Sequence, residues 1–391
     1  MWIDRDAFKL VDRLRATKPV LLLTGSRQVG KTSLLERGFP GYRYVTLDLP
    51  AVAEEAENSG KEFLARNPSP LILDEVQYAP LLFRYLKHAV DVKRGENGRF
   101  LLTGSQKFVL MEKATESLAG RVALVEMHSL SLREIERAQG RPIERQDLCD
   151  WIWRGGYPEL VAERRDPARF YSDYVATYLE RDVRQALAVR SLRDFDRFLR
   201  LCALRTGQLL SMNSFAGDLG VSPNTIRSWL SVLEASGIVM LVEPYFRNLG
   251  KRIVKMPKLY FLDTGLLCFL AGLYDSKMLR QSSLLGAFFE TLVLGQMVRH
   301  FANRGSPERV YFYRDHHGVE IDFVIPVGEK LRLFECKWGE MPDPQQRGFA
   351  ELAQLLPEGD VLSKTIVTPD RGRRKVEGVS IEDCVDLPTL G

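Results

Sequence analysis

The sequence predicts a multidomain α/β protein, and three observations predict it. A fully apolar run, PVLLLTG (19–25), leads straight into GSRQVGKT and then a helical pattern. Four more short apolar runs alternate with helical patterns as far as about residue 130. After a helical middle, strands return in the last hundred or so residues. Strands spaced by helices argue for βαβ units and a parallel sheet covered on both faces. The 391 residues suggest two or three domains, and 45% apolar with 27% charged residues is a globular balance that excludes bulk disorder and collagen.

Taken in order, residues 3–16 place Ile3, Phe8, Leu10, Val11 and Leu14 on one face of a short helix that ends before Pro19. PVLLLTG reads as a buried parallel strand. Further strands are expected at 44–49, 70–73, 98–105 and 121–127, with helices over 51–66 and 81–93. Helices then run to about residue 205. SFAGDLGVSPNTIRSWLSVLEASGIVMLVEPY (214–245) has the form of a winged helix-turn-helix. Its turn lies at Gly220, Ser222 is a natural N-cap and Pro223 opens the second helix. From about residue 281 the order is an apolar helix, three β-like segments, a helix near 343–355 and a strand near 362–368. RGRRK (371–375) reads as a loop. The expected units are therefore 1–130, 131–205, 206–262 and 263–391.

Charge excludes little: 55 Lys plus Arg against 51 Asp plus Glu leaves a formal +4, too small to indicate nucleic-acid binding by itself. The five cysteines are far apart and form no CxxC pair, so no disulfide framework or thiolate zinc site is expected. A charged N-terminus without a signal h-region, and no run of 18 apolar residues, lead us to expect a cytoplasmic protein without membrane association.

GSRQVGKT matches GxxxxGK[ST] in the strand-to-helix context that makes it a phosphate cradle. The run Gly25, Ser26, Arg27, Gln28, Val29, Gly30, Lys31, Thr32 and Ser33 would present backbone N–H groups to phosphates. Lys31 would reach the β and γ phosphates, and Thr32 would ligate Mg2+. In LILDE (71–75) an apolar strand delivers Asp74 to the same metal shell and Glu75 beside it to polarise water. Thr103 or Ser105, ending a later strand, is a candidate contact for the γ-phosphate or the water. Arg121 is a candidate to neutralise phosphate charge, in cis or across a subunit boundary.

LLLTGSRQVGKTSLL, YVTLDLP, LILDEVQYAP, FLLTGS, SLAGRVALVEMHSLSLREI, WRGGYPEL and YLERDV together resemble the AAA-type P-loop ATPases fused to a DUF4143 C-terminal region, over residues 1 to about 200. The resemblance implies ATP as the nucleotide, with Lys31, Thr32, Asp74 and Glu75 in the Walker roles and a polar sensor near Ser105. Gln77 in the DEVQ run marks the same edge. AAA-type cores generally place an arginine of one subunit near the ATP of another, which implies a homo-oligomer.

In the last region, Asp322 lies in VEIDFVI, and Glu335 and Lys337 lie in FECKW 13 residues on. An acid on one strand and E-x-K on the next resemble the PD-(D/E)xK nuclease, or restriction-endonuclease-like, α/β fold. In that reading Asp322 and Glu335 hold Mg2+, Lys337 orients water, and Glu290 adds an acid. The competing reading is a satisfied charge network without turnover. His316 and His317 read as a hairpin loop. The winged helix offers Asn224, Thr225, Arg227 and Ser228 to a major groove, and Arg247, Lys251, Arg252, Lys255 and Lys258 of the wing to phosphates. Helix 181–205 adds Arg181, Arg184, Arg190, Arg193, Arg197, Arg200 and Arg205. Nucleic acid, DNA before RNA, is thus one expected partner. A protein docked on the winged helix is the other. Three functions stay open: an ATP-driven nucleic-acid machine, an ATP-gated protein switch, and a toxin–antitoxin or defence component.

Overall fold

The structure is a computed structural model that describes residues 1–105, 117–163, 165–179, 192–245, 254–339 and 346–390. The N-terminal sheet contains β1 (Val20–Thr24), β2 (Arg43–Thr46), β3 (Leu71–Asp74), β4 (Phe100–Thr103) and β5 (Val122–Glu126), in the order β2-β3-β4-β1-β5. Every pairing is parallel. All five β1 residues are buried, as a strand covered on both faces requires. Alternation sorts the side chains. Val20, Leu22, Leu71, Leu73, Phe100 and Leu102 pack with Phe63 and Phe83 on one face. Leu21, Leu23, Ile72, Leu101 and Val125 join a second core on the other. Each such fully buried side chain is worth roughly 1.5–3 kcal/mol.

The helix expected over 51–66 is two, Pro50–Asn58 and Gly60–Arg66, because the chain turns at Ser59. A Cβ on Gly60 would stand 2.3 Å from the Tyr85 ring, so the break also admits that ring.

The helix Leu192–Leu204 packs against the helix that carries Trp229, with Phe195 and Phe198 ring centroids 5.6 and 5.3 Å from it. The helices Met212–Leu219 and Pro223–Ala235 flank Gly220, whose φ of 69° makes the left-handed turn. Ser222 caps the second helix, accepting the Thr225 N–H at 3.1 Å, and Ile226, Trp229, Leu230 and Leu233 are its buried face. β6 (Val239–Val242) and β7 (Lys258–Phe261) then pair antiparallel. The helix Thr264–Leu270 packs back on Arg145–Arg154 and Pro167–Tyr174, so residues just beyond 263 share the core of the helical region.

The C-terminal sheet contains β8 (Tyr311–Arg314), β9 (Glu320–Val327), β10 (Lys330–Cys336), β11 (Val361–Thr368), β12 (Arg373–Val376) and β13 (Val379–Asp383), in the order β12-β13-β11-β10-β9-β8. Antiparallel β8–β9–β10 continue into parallel β10–β11–β13. RGRRK is not wholly a loop: Arg373–Lys375 belong to edge strand β12, antiparallel to β13. The other edge, β8, is covered by the segment after β6, where Tyr245 N–H donates to Phe312 O at 2.7 Å and Phe312 N–H to Glu243 O at 3.2 Å. The second core described above runs from β1 through the helical region and the helices flanking Gly220 to the helix Leu285–Arg304 and this sheet. Among the described residues no helix is long and apolar enough to cross a membrane.

Candidate nucleotide site and acidic cluster

The loop Gly25–Gly30 leaves the C-terminal end of β1. Gly25 has φ +137°, and a Cβ there would lie 2.0 Å from Met127 O, so only glycine fits. Gly30, at φ +89°, directs the chain into the helix Lys31–Gly38. The Lys31 Nζ folds back on the loop and donates to Gly25 O at 3.0 Å and Ser26 O at 2.8 Å. Burial lowers its pKa to about 8, against the opposing pull of Glu75 and Asp74. Ser33 is exposed, and Arg27 and Gln28 are half-buried. Two contacts were not foreseen. Arg5 braces the loop from behind, donating to Val29 O at 2.6 Å and His128 O at 2.7 Å while paired with buried Glu134 at 3.0 Å. From the other side the Ser26 hydroxyl donates to Gly237 O, just after the helix Pro223–Ala235, at 3.0 Å. The S-x-x-E capping box Ser131–Glu134 was the one sequence signal for the first. Nothing local signalled the second.

β3 delivers Asp74 across β4 to the helix start. Asp74 Oδ1 accepts the Thr32 hydroxyl at 2.8 Å and also the Thr103 hydroxyl, and Oδ2 accepts the Tyr44 hydroxyl at 2.9 Å. Glu75 holds a left-handed backbone, φ 55°, a strained conformation of the sort retained at functional sites. Its Oε2 accepts from Gln77 Nε2 and, at 3.4 Å, from Ser105 Oγ. Among the described residues the buried Gln77 Oε1 has no partner. A hydroxyl and a carboxylate beside the loop are the hard-oxygen ligands that magnesium takes together with phosphates and water, so these residues fit that ion. Tyr44, missed in the sequence, reads as an ordinary strand residue there.

Arg121 does not join the site. It precedes β5, and Val122 pairs with Val20 at the start of β1, so it lies at the end of the sheet opposite the loop. There it forms a fork with Asp91, at 2.8 and 3.1 Å. A cis role at the phosphates is thereby corrected.

In the C-terminal sheet the register sets Phe334 against Phe323, which brings Asp322, Glu335 and Lys337 together as the E-x-K reading expects. Their bonds are internal. Asp322 Oδ2 accepts the Cys336 N–H at 2.7 Å, and Lys337 pairs with Glu335 at 3.0 Å. Lys258, expected on the wing facing phosphates, is instead buried. It reaches Glu290 at 3.2 Å and also Glu320, and the Tyr260 hydroxyl donates to Glu290. Burial by itself would lower the Lys258 pKa, but Glu290, Asp322 and Glu320 outweigh it and raise it. Burial and then Asp322 raise the pKa of both Glu290 and Glu335. Among the described residues no three His, Cys, Asp or Glu converge to hold a metal. As arranged, Asp322 and Glu335 meet the Cys336 N–H and Lys337. His316 and His317 lie exposed in the β8–β9 turn, and Gln346 sits at the N-cap of Arg347–Leu355.

On the helix Pro223–Ala235, Asn224, Arg227 and Ser228 are exposed and Thr225 is half-buried. Lys255 is exposed. Of the basic surface expected from the preceding helix, three described arginines are paired: Arg197 with Asp194, Arg200 with Asp196 and Arg205 with Asp218. Arg181, Arg184, Arg190, Arg247, Lys251 and Arg252 lie outside the described residues.

Residues 17–136 match the family described as AAA domain, 145–277 a domain of unknown function, DUF8612, and 285–389 a domain of unknown function, DUF4143. Uncharacterized proteins of Mycobacterium tuberculosis and Mycobacterium bovis are each 35% identical over 363 residues, 90% of this chain and 77% of theirs. Among solved structures, the Walker-type ATPase of Pyrococcus abyssi is 18% identical, covering 69% of this chain and 96% of that one, with a TM-score of 0.45. The RuvB Holliday junction branch migration motor of Thermotoga maritima is 18% identical over 61% of this chain and 89% of its own, with a TM-score of 0.32. With both end domains matched and the mycobacterial relatives aligned across nearly the whole length, the chain belongs to the family of AAA-type P-loop ATPases fused to a DUF4143 domain.

Proposed function

We propose that the chain binds ATP with magnesium at Gly25–Thr32 and hydrolyses it, and that the nucleotide state is passed to the winged helix. The observation that carries this reading is the meeting of Lys31, Thr32, Asp74 and Glu75 at one end of the sheet, with Thr32 and Asp74 bonded at 2.8 Å. Thr32 and Asp74 would hold the magnesium, which supplies charge neutralisation at the phosphates. Lys31 exchanges two backbone carbonyls for phosphate oxygens and so keeps its proton. Glu75, positioned by Gln77 and Ser105, takes the proton of the attacking water. The new bond joins that oxygen to the γ-phosphorus, the bond to the β-bridging oxygen breaks, and ADP leaves. Glu75→Gln should retain ATP binding by calorimetry while turnover falls about 100-fold or more. Turnover equal to wild type would remove Glu75 as the base.

For the output, the exposed face of Asn224, Arg227 and Ser228 favours duplex DNA over a protein partner, since short polar side chains and one arginine at a helix start suit base edges. Turnover stimulated by duplex DNA, and lost with Arg227→Glu, supports this; stimulation only by a captured protein supports the switch reading. Self-association, in the manner of AAA-type cores, belongs to the same proposal. For the C-terminal domain we propose docking without cleavage, because lysines already compensate its acids. Nicking of DNA or RNA with magnesium or manganese, abolished by Asp322→Ala, would overturn that.

A further inference from the structure

A cavity of about 490 Å³ opens away from the P-loop, where the helices Ala7–Arg15, Leu132–Gln139 and Leu285–Arg304 meet the segment 385–390. Its wall is cationic. Lys9, Arg13, Arg133, Arg137 and Arg304 face only Asp6 and Asp386 among the lining residues. Arg137 pairs with Asp6 at 2.7 Å, and Arg133 with Asp386 at 3.4 Å in an exposed, weak contact. Arg13 donates to the backbone Arg304 O at 2.9 Å, and both residues line the cavity. Among the described residues neither of them, nor Lys9, has a carboxylate within ion-pair distance. His300 lines the same wall, and among the described residues its buried Nε2 has no hydrogen-bond partner. Burial, then Arg304 and Arg133, lower its pKa to about 4, so at neutral pH it adds no charge to the wall. The floor is apolar, formed by the buried side chains of Leu10, Val385, Leu387 and Leu390.

We propose that this cavity is a second anion site, for a phosphorylated small molecule of about mononucleotide size. Phosphates meet Lys9, Arg13 and Arg304, and a flat or apolar body lies on the leucine floor. Cationic rim, apolar floor and a volume in the usual range for small-ligand clefts all fit that one chemistry. The site also adjoins the brace of the P-loop. Asp6 follows Arg5, its N–H donates to Glu134 at 2.8 Å, and Arg5 holds Val29 O.

The test is calorimetry of the full chain with ADP as probe. Wild type is expected to bind two ADP per chain and Arg13→Gln/Arg304→Gln one. A chain carrying Lys31→Ala, which weakens the P-loop, should still bind ADP, and adding Arg13→Gln/Arg304→Gln should weaken that binding by about tenfold or more. Inorganic pyrophosphate, which leaves the floor unused, should bind Lys31→Ala about tenfold more weakly than ADP. A single ADP in wild type that persists in Arg13→Gln/Arg304→Gln overturns the proposal, as does no ADP binding by Lys31→Ala or equal binding of pyrophosphate and ADP. Both exchanged arginines are exposed, so unchanged circular dichroism and melting temperature accompany a valid loss. Turnover at the P-loop is read separately, so its absence would not mimic loss of this site.

Discussion

Lys31 carries the clearest pH signature. Its pKa in the folded chain is lowered to about 8 from 10.5 by burial, so between these values the folded chain holds fewer protons than the unfolded one. Stability should therefore rise as pH climbs through that window. Nucleotide binding has the opposite sign. Phosphates restore the ammonium, so binding takes up a proton near and above pH 8 and weakens as pH rises further. Calorimetry in buffers of different ionisation enthalpy reads the uptake; none at pH 8.5 would contradict the burial argument. Asp74 offers a finer test. Tyr44→Phe removes one donor from its Oδ2 and leaves Thr32 in place. We expect magnesium to be needed at a concentration a few-fold different, with ATP binding otherwise intact, measured by titrating turnover with the metal.

At the element scale, Gly25→Ala would force a Cβ against Met127 O and require an alanine at positive φ. Destabilisation should exceed about 1 kcal/mol, with loss of ATP binding, checked by denaturant unfolding. Ser222→Ala removes only a cap and should cost about 1 kcal/mol without touching ATP affinity. These contrasting outcomes follow what was legible in the sequence. β1 and β3 were legible because parallel strands buried on both faces are unbroken apolar runs, and the P-loop because its chemistry is local. The turn at Gly220 and the Ser222 cap were legible for the same reason. Residues 51–66 kept a helical pattern through a break that only the Tyr85 ring explains. RGRRK looked like a loop because an edge strand facing water needs no apolar alternation. The cis role of Arg121 could not be judged in the sequence, because sequence order does not say which end of a strand faces the phosphates. Lys258 looked like a wing lysine because carboxylates from two other elements bury it.

Across the whole molecule, Lys258 fastens β7 to the helix Leu285–Arg304 and the C-terminal sheet. Lys258→Met should leave Glu290 and Glu320 without their shared cation and destabilise the chain by about 3–5 kcal/mol. Adding Glu290→Gln should return part of that, read by chemical denaturation; additive losses would deny the coupling. The bond from Ser26 to Gly237 has a different consequence. One end belongs to the phosphate loop and the other to the module proposed to meet DNA, so occupancy of either side changes the free energy of the other by an equal amount. If ATP loosens the grip on a duplex by some factor, the duplex must loosen ATP by that same factor, and Ser26→Ala should shrink both numbers together.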